Sequence, residues 1–336
     1  MEKISLGMSR KVAIGIVYFL PLPILLGSLF IGVSEQVTIT DVFSLLVNPS
    51  HYSGSIVSTI LFDIRLPRLL LVFITGGTLA VSGAVLQAIF RNPLVDPYVL
   101  GLSSGAAFGA ALGLAFAIIP VQLSAFIFGL SAVGLSYFMA RKNKQVSIIS
   151  LILAGIITNG IFTALLTIVQ IMSDPFKLQS IVHWIMGNFH NASWEKFNSA
   201  IVPVMLGLVI LFALRWKLNV LALGDDEAAT SGVNPARLKA WVLLSATLAS
   251  SAAIAVSGII GLYGLIIPHV TRMLFGVDNR ATLALNFLLG GSFLVLIDNI
   301  SRSMGGYEVP IGVFTMLIGA PFFIWLLKKS NIGWQQ

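Results

Sequence analysis

The chain of 336 residues contains no cysteine. That excludes disulfide staples, thiolate nucleophiles and cysteine-ligated metal or iron–sulfur centres, and it leaves the redox compartment unreadable. Charge is almost as scarce. Only 10% of the residues are Asp, Glu, Lys or Arg, where soluble domains carry about a quarter, so a water-solvated globular domain is excluded. The four histidines are scattered and form no His-x-x-x-His pair. No GxxxxGK[ST] run occurs, so the chain has no phosphate loop, and any ATP it uses must be hydrolysed by a partner.

What the chain has instead is apolar length: 57% of it is hydrophobic. A bilayer-spanning helix needs about 20 apolar residues. The runs 12–33, 67–90, 98–119, 122–140, 147–171, 197–214, 240–263, 281–299 and 309–327 qualify, and the shorter 262–276, with its Gly, Pro and His, makes a tenth. The expectation is an all-α polytopic membrane protein with a single transmembrane domain. Lys3, Arg10 and Lys11 precede a first run too long for a signal-peptide core, with no small-residue cleavage site after it, so that run reads as a retained helix.

The net charge of +7 need not imply nucleic acid, because in a membrane protein placement outweighs the sum. With the N-terminus inside and ten spans, fifteen of the 20 lysines and arginines fall inside. Only Arg65, Arg68, Lys177, Lys196 and Arg302 fall outside. The positive-inside rule supports that orientation, with both termini cytoplasmic. Nine spans would strand Lys328 and Lys329 outside, which argues for the tenth.

"AVSGAVLQAIFRNP" (80–93) and "AVSGIIGLYGLIIP" (255–268) share Ala-Val-Ser-Gly and a proline at equal spacing, in oppositely directed spans. Two readings fit: inverted repeats over about 67–171 and 240–327, or a shared small-residue packing motif. The stretch "RNPLVDPYVLGLSSGA" (91–106) interrupts the apolar pattern with Pro93 and Pro97, and Asn92 and Asp96 are suited to capping the helix ends it exposes. Gly101, Ser103, Ser104, Gly105 and Gly109 allow close helix approach. It reads either as an ordinary inside loop before a packing helix or as a break that narrows a pathway.

"IRLPRLL" (64–70), the 79–106 segment, "LILAGI" (151–156), "WIMGNF" (184–189), "LNVLALGDDEAATSGVNPARLK" (218–239), "GLYGLIIPHVTRML" (261–274) and "EVPIGVFTMLIGAPFFIWLL" (308–327) occur in order along the chain. In these the sequence resembles the FecCD-type permeases, membrane subunits of type II ABC importers for iron–siderophores, haem and vitamin B12. The resemblance implies ten helices and a permease homodimer with its pathway on the two-fold axis. It also implies two cytoplasmic ATPases carrying ATP and Mg, an outer substrate-binding protein, no cofactor on this chain and no catalytic residue.

The resemblance also distributes roles. Arg65, Arg68 and, less directly, Arg302 match arginines that present their planar forks to glutamates of the binding protein. Leu223, Gly224, Asp225, Asp226, Glu227, Gly232, Val233, Asn234 and Pro235 lie in an inside loop, 216–240, expected to form two short coupling helices on the ATPase. Asn92 and Leu94 match one cytoplasmic gate. Ser147, Ile148, Ile149 and Ser150 match a second, where isoleucines stand in place of the family's small polar residues and a seal by dewetting remains open to it. Trp184, Met186 and Asn188 belong to an expected short helix, 184–189, lining the outer mouth, and His183 flanks it as part of the same outer pathway. His183, His190 and His51 fall outside and read as polar lining rather than a metal site; His269 reads as a helix-interior residue. A secondary transporter would need an ionisable residue central in a span, and an integral-membrane enzyme a cluster of His, Asp or Glu; neither pattern is present. Asp298, near an outer helix end, reads as a pairing group. A metal chelate is the expected cargo and a small oxyanion such as molybdate the alternative.

Overall fold

The structure, a computed structural model, describes residues 10–32, 37–47, 55–142, 145–304 and 308–329. Its helices are α1 (Arg10–Phe19), α2 (Pro21–Leu29), α3 (Ile39–Val47), α4 (Ile56–Thr59), α5 (Leu66–Phe90), α6 (Leu102–Phe116), α7 (Val121–Ala140), α8 (Ile148–Met172), α9 (Pro175–Ile185), α10 (Trp194–Leu223), α11 (Asp225–Thr230), α12 (Pro235–Ser257), α13 (Tyr263–Phe275), α14 (Asn279–Ser303) and α15 (Ile311–Lys329). A π turn, Ile60–Arg65, joins α4 to α5, and a 3₁₀ turn, Pro97–Leu100, precedes α6. The one extended pairing among the described residues is a two-residue hairpin, Arg141–Lys142 against Gln145–Val146.

Seven helical stretches are long and apolar enough to cross a membrane. With the shorter α6, α13 and α15 they make the ten expected from the sequence. The first run is two helices, because Pro21 occupies the first turn of α2 and removes a backbone donor there. The second is longer than its apolar run, extending unbroken from Ile56 to Phe90 over 35 residues.

The core is built around α5, whose small residues let neighbours approach to backbone contact. Gly83 lies so close to the Gly264 carbonyl, and Gly76 to that of Gly290, that no side chain fits at either place. Phe73 of α5 and Phe287 of α14 lock edge to face at 5.7 Å, each lying against a glycine of the opposite helix, Gly291 and Gly77. Gly105 and Gly109 of α6 likewise rest on the backbone of α7. The glycine-rich stretch is therefore a packing surface.

Helices α6, α9 and α13 have 15, 11 and 13 residues, so each reaches about 16–22 Å, short of the ~30 Å hydrocarbon core. Their ends explain the shortfall. Tyr98, in the break before α6, donates its hydroxyl to the Ile260 carbonyl at 2.9 Å and accepts the Ile260 N–H at 3.1 Å. Ile260 lies in a second break, 258–262, between α12 and α13. The loop after α9 joins them: the Asn188 N–H donates to the Ser257 carbonyl at 2.8 Å, and the Gly312 N–H of α15 donates to the Met186 carbonyl at 3.1 Å. Breaks from four places in the sequence thus satisfy one another's backbone groups, as buried non-helical backbone requires.

Candidate functional site

At the end of the bundle formed by the start of α5 and the end of α14, charged side chains form a chain of contacts. The Arg68 guanidinium donates to Asp298 at 2.7 Å and to both oxygens of Glu308 at 2.9 and 3.0 Å. Asp298 also lies 3.7 Å from Arg302 Nε, and Arg302 donates to the Ser28 carbonyl at 3.1 Å and to Asn299 at 2.5 Å. Arg65 donates to the Leu29 carbonyl at 2.8 Å. Glu308 continues outward, with Oε2 2.5 Å from His190 Nδ1. The His190 ring stacks on His183 at 4.8 Å, and Asn188 donates to the His183 carbonyl at 3.0 Å. Burial acts to raise the Glu308 carboxyl, but Arg68 and then His190 bring it below the ordinary glutamate value. Burial and the neighbouring His190 lower the His183 imidazole against an opposing pull from Glu308.

Two expectations change here. Arg65, Arg68 and Arg302 are 5%, 7% and 7% exposed. They are internal, neutralised or bonded groups rather than free forks, because an unpaired guanidinium at this depth is costly. The helix expected over 184–189 ends at Ile185; Gly187 takes a positive φ of 71° against the Ile259 carbonyl, and the chain turns. Trp184 is half-buried at the end of α9, and Met186 is exposed beyond it. His51 lies outside the described residues. Asp298 is a pairing group, as read, and His269 meets Phe322 edge on. Among the described residues no three His, Asp or Glu side chains are grouped as metal ligands.

The opposite end is organised by caps. Helix α10 runs to Leu223, Gly224 breaks it with φ 146°, and α11 begins with Asp225, Asp226 and Glu227 in its first turn, where the helix dipole favours acids. Gly232, at φ 79°, and Val233 close α11 by donating their N–H groups to the Ala229 and Ala228 carbonyls. Asn234 then caps α12 through the Arg237 N–H, with Pro235 in its first turn. Only one of the two expected coupling helices is separate: the second is the start of α12, because nothing after Pro235 breaks the helical pattern before Ser257.

Asp225 joins this corner to the break between α5 and α6. Its carboxylate accepts from Arg91 at 3.0 Å and from Lys239 at 2.6 Å. Arg91 ends α5 in left-handed conformation, and Asn92 holds the following turn by accepting the Leu94 N–H at 2.9 Å. Asp96 caps the 3₁₀ turn through the Tyr98 and Val99 N–H groups. A cavity of about 740 Å³ lies beside the corner and is lined by Ser147, Ile148, Ser150, Asp225, Asp226 and Asn234, among others. Ser147 caps α8 by accepting the Ser150 N–H at 3.0 Å. Leu94, Asn92 and Ile149 do not line that cavity; Leu94 and Ile149 are 48% and 73% exposed. Sequence reasoning missed Tyr98, Arg91 and Glu308, whose partners are distant in the chain; a lone polar residue between apolar runs was the available signal.

Broken helices that meet inside the bundle, a polar mouth at one end and a charged, capped corner at the other define a multi-pass membrane permease. The chain belongs to the FecCD transport family, whose model matches residues 20–329, and is the membrane subunit of an ABC importer rather than its ATPase. It is 42% identical over 277 residues to the molybdate import system permease protein MolB of Haemophilus influenzae, covering 82% of each chain. It is 36% identical over 321 residues to the hemin transport system permease protein HmuU of Yersinia pestis, covering 92% of this chain and 94% of that one. A solved structure described as an inward-facing metal-chelate type ABC transporter superposes with a TM-score of 0.85 at 37% identity, covering 95% of this chain and all of the other.

Proposed function

We propose that the chain acts as a homodimer in the cell inner membrane, both termini cytoplasmic, and passes a metal chelate of the siderophore, haem or corrinoid kind from an outer binding protein. Two ATPase subunits, carrying ATP and Mg, seat on the corner of residues 223–235. The observation that carries this reading is Asp225, at the start of the exposed α11, tied to Arg91 at the edge of the gate segment. Movement of α11 by an ATPase reaches residues 91–97 through one ion pair, and reaches Ser147–Ser150 through the shared cavity wall. Docking of the binding protein involves the end that holds Arg65, Arg68 and Arg302, where the buried arginines frame the surface and Glu308 and His190 stand nearer to solvent. His183, Trp184, Met186 and Asn188 line the outer pathway. The 80–93 and 255–268 segments act as paired elements of an inverted repeat, a reading supported by the Tyr98–Ile260 contact, which joins the break after the first segment to the break within the second.

The identity to the molybdate permease favours a second cargo, a small oxyanion. Proteoliposomes holding the permease, its ATPase and its binding protein separate the two. ATP-dependent uptake of a labelled iron or cobalt chelate is the expected result. Uptake of molybdate alone establishes the second cargo, and uptake without ATP overturns both.

A further inference from the structure

Two cavities open at the end of the bundle away from the α10–α11–α12 corner; the larger shares His183, Trp184 and Asn188 with the outer pathway proposed above, and the smaller has no part in that reading. One, of about 470 Å³, is walled by Gln179 and Ser180 of α9, by Asn188 and Asn191, and by Lys196. The other, of about 310 Å³, is a slot between α7, α10 and α12 walled by Leu123, Phe126, Ala200, Pro203 and Ala252. Gln122, Lys196, Ala255 and Val256 belong to both, so the polar chamber opens directly into the apolar slot.

The slot has local causes. Pro203 lacks an N–H, so the Ser199 carbonyl, on the slot wall, loses its helical donor and α10 is locally relieved. Ala200, Ala252 and Ala255 are short where longer side chains would close the space. From Lys196 to Pro203 is seven residues, about 10 Å along the helix.

Lys196 sits at the junction. Its backbone N–H donates to Ser193 and its carbonyl accepts from Ser199; among the described residues its ammonium makes no hydrogen bond or salt bridge, and the adjacent Glu195 carboxylate acts on it electrostatically. The side chain is half-buried, and its neighbour Glu195 is exposed on the rim of the slot. A partly desolvated ammonium suits an anion, and the apolar side of the slot, formed by Leu123, Phe126, Ala200, Pro203 and Ala252, suits a hydrocarbon chain. A free oxyanion satisfies the first and leaves the second unfilled. An amphiphile with a phosphate head satisfies both.

We propose that this junction binds a membrane phospholipid, with its phosphate on Lys196, its ester and headgroup oxygens beside the Gln179 and Asn191 amides, and one acyl chain in the slot beside Pro203. Glu195 on the rim suits an amine-bearing headgroup. The lipid fills a gap between α7, α10 and α12, so it fixes α9 and the outer mouth against the long helices.

The intact transporter complex, purified in mild detergent and mixed with phosphatidylethanolamine, phosphatidylglycerol or inorganic phosphate, tests this by native mass spectrometry. One retained phospholipid per permease subunit is expected. Lys196→Glu removes the charge-assisted contact and should lower retention at least about tenfold. Ser199→Phe, which blocks the slot from an exposed position, should do likewise, while Lys196→Arg retains the lipid. Complex assembly by size exclusion shows that each variant folds. Loss with Lys196→Glu alone, or occupancy by phosphate in place of lipid, reduces the site to a small-anion pocket and overturns the proposal. Loss with Ser199→Phe alone overturns the phosphate contact, and no loss with either overturns the whole.

Discussion

Arg91 Nη2 lies 3.0 Å from Asp225 Oδ1, across 134 residues of sequence. The pair ties the end of α5 to the start of α11, and Lys239 holds the same carboxylate from α12 at 2.6 Å. Both members of the Arg91 pair are substantially exposed, at 41% and 45% of the side chain, so the contact contributes about 0–1 kcal/mol to stability. Its value lies in connection.

Asp225→Lys should therefore leave the complex assembled while lowering substrate moved per ATP hydrolysed. The double exchange Arg91→Asp with Asp225→Arg should recover part of that ratio. Coupled uptake and phosphate release in proteoliposomes measure it; an unchanged ratio in Asp225→Lys removes the pair from the coupling route.

Arg68→Ala removes the nearest counter-charge from the buried Asp298, leaving it Arg302 at 3.7 Å, and removes the guanidinium from Glu308, leaving it His190. Breaking a buried pair from one side costs about 3–5 kcal/mol. Thermal unfolding of the purified permease should show a clear downward shift. Lys177→Ala, which removes a 3.8 Å pair with Asp174 at an exposed position and one hydrogen bond to the Ala115 carbonyl at 2.6 Å, should shift it less. Equal shifts would contradict the burial argument.

Tyr98→Phe removes both hydrogen bonds to Ile260 and leaves buried backbone groups unpaired, at about 1–3 kcal/mol each. Hydrogen exchange should rise at 97–101 and 258–262 together. A rise confined to one segment would show that the two breaks are not joined through this hydroxyl.

Leu94→Cys introduces the sole thiol into a cysteine-free chain at an exposed position beside Asn92. In a two-fold dimer a residue near the axis faces its own copy, and a disulfide needs Cα atoms within roughly 7 Å. Oxidation should crosslink two subunits in some nucleotide states and block uptake reversibly. If axis-facing positions on α8 crosslink and this one never does, residues 91–97 are a loop and no gate.

The apolar spans, their order and several of the caps between them were legible in the residues. Hydrophobic length, Asp96 before Pro97 and Asn234 before Pro235 act over a few neighbours, and the chain carries that information locally. Partnership was not legible. Arg68 reads as a free outer cation until folding brings Asp298 and Glu308, 230 and 240 residues away, onto its guanidinium. Tyr98 reads as one aromatic among many until a break 162 residues distant offers it an N–H and a carbonyl. Lys196 reads as an outer charge until three helices leave a slot beside it. Hydropathy depends on composition along the chain, whereas the neutralisation of a buried charge depends on which distant segment packing places within about 3 Å.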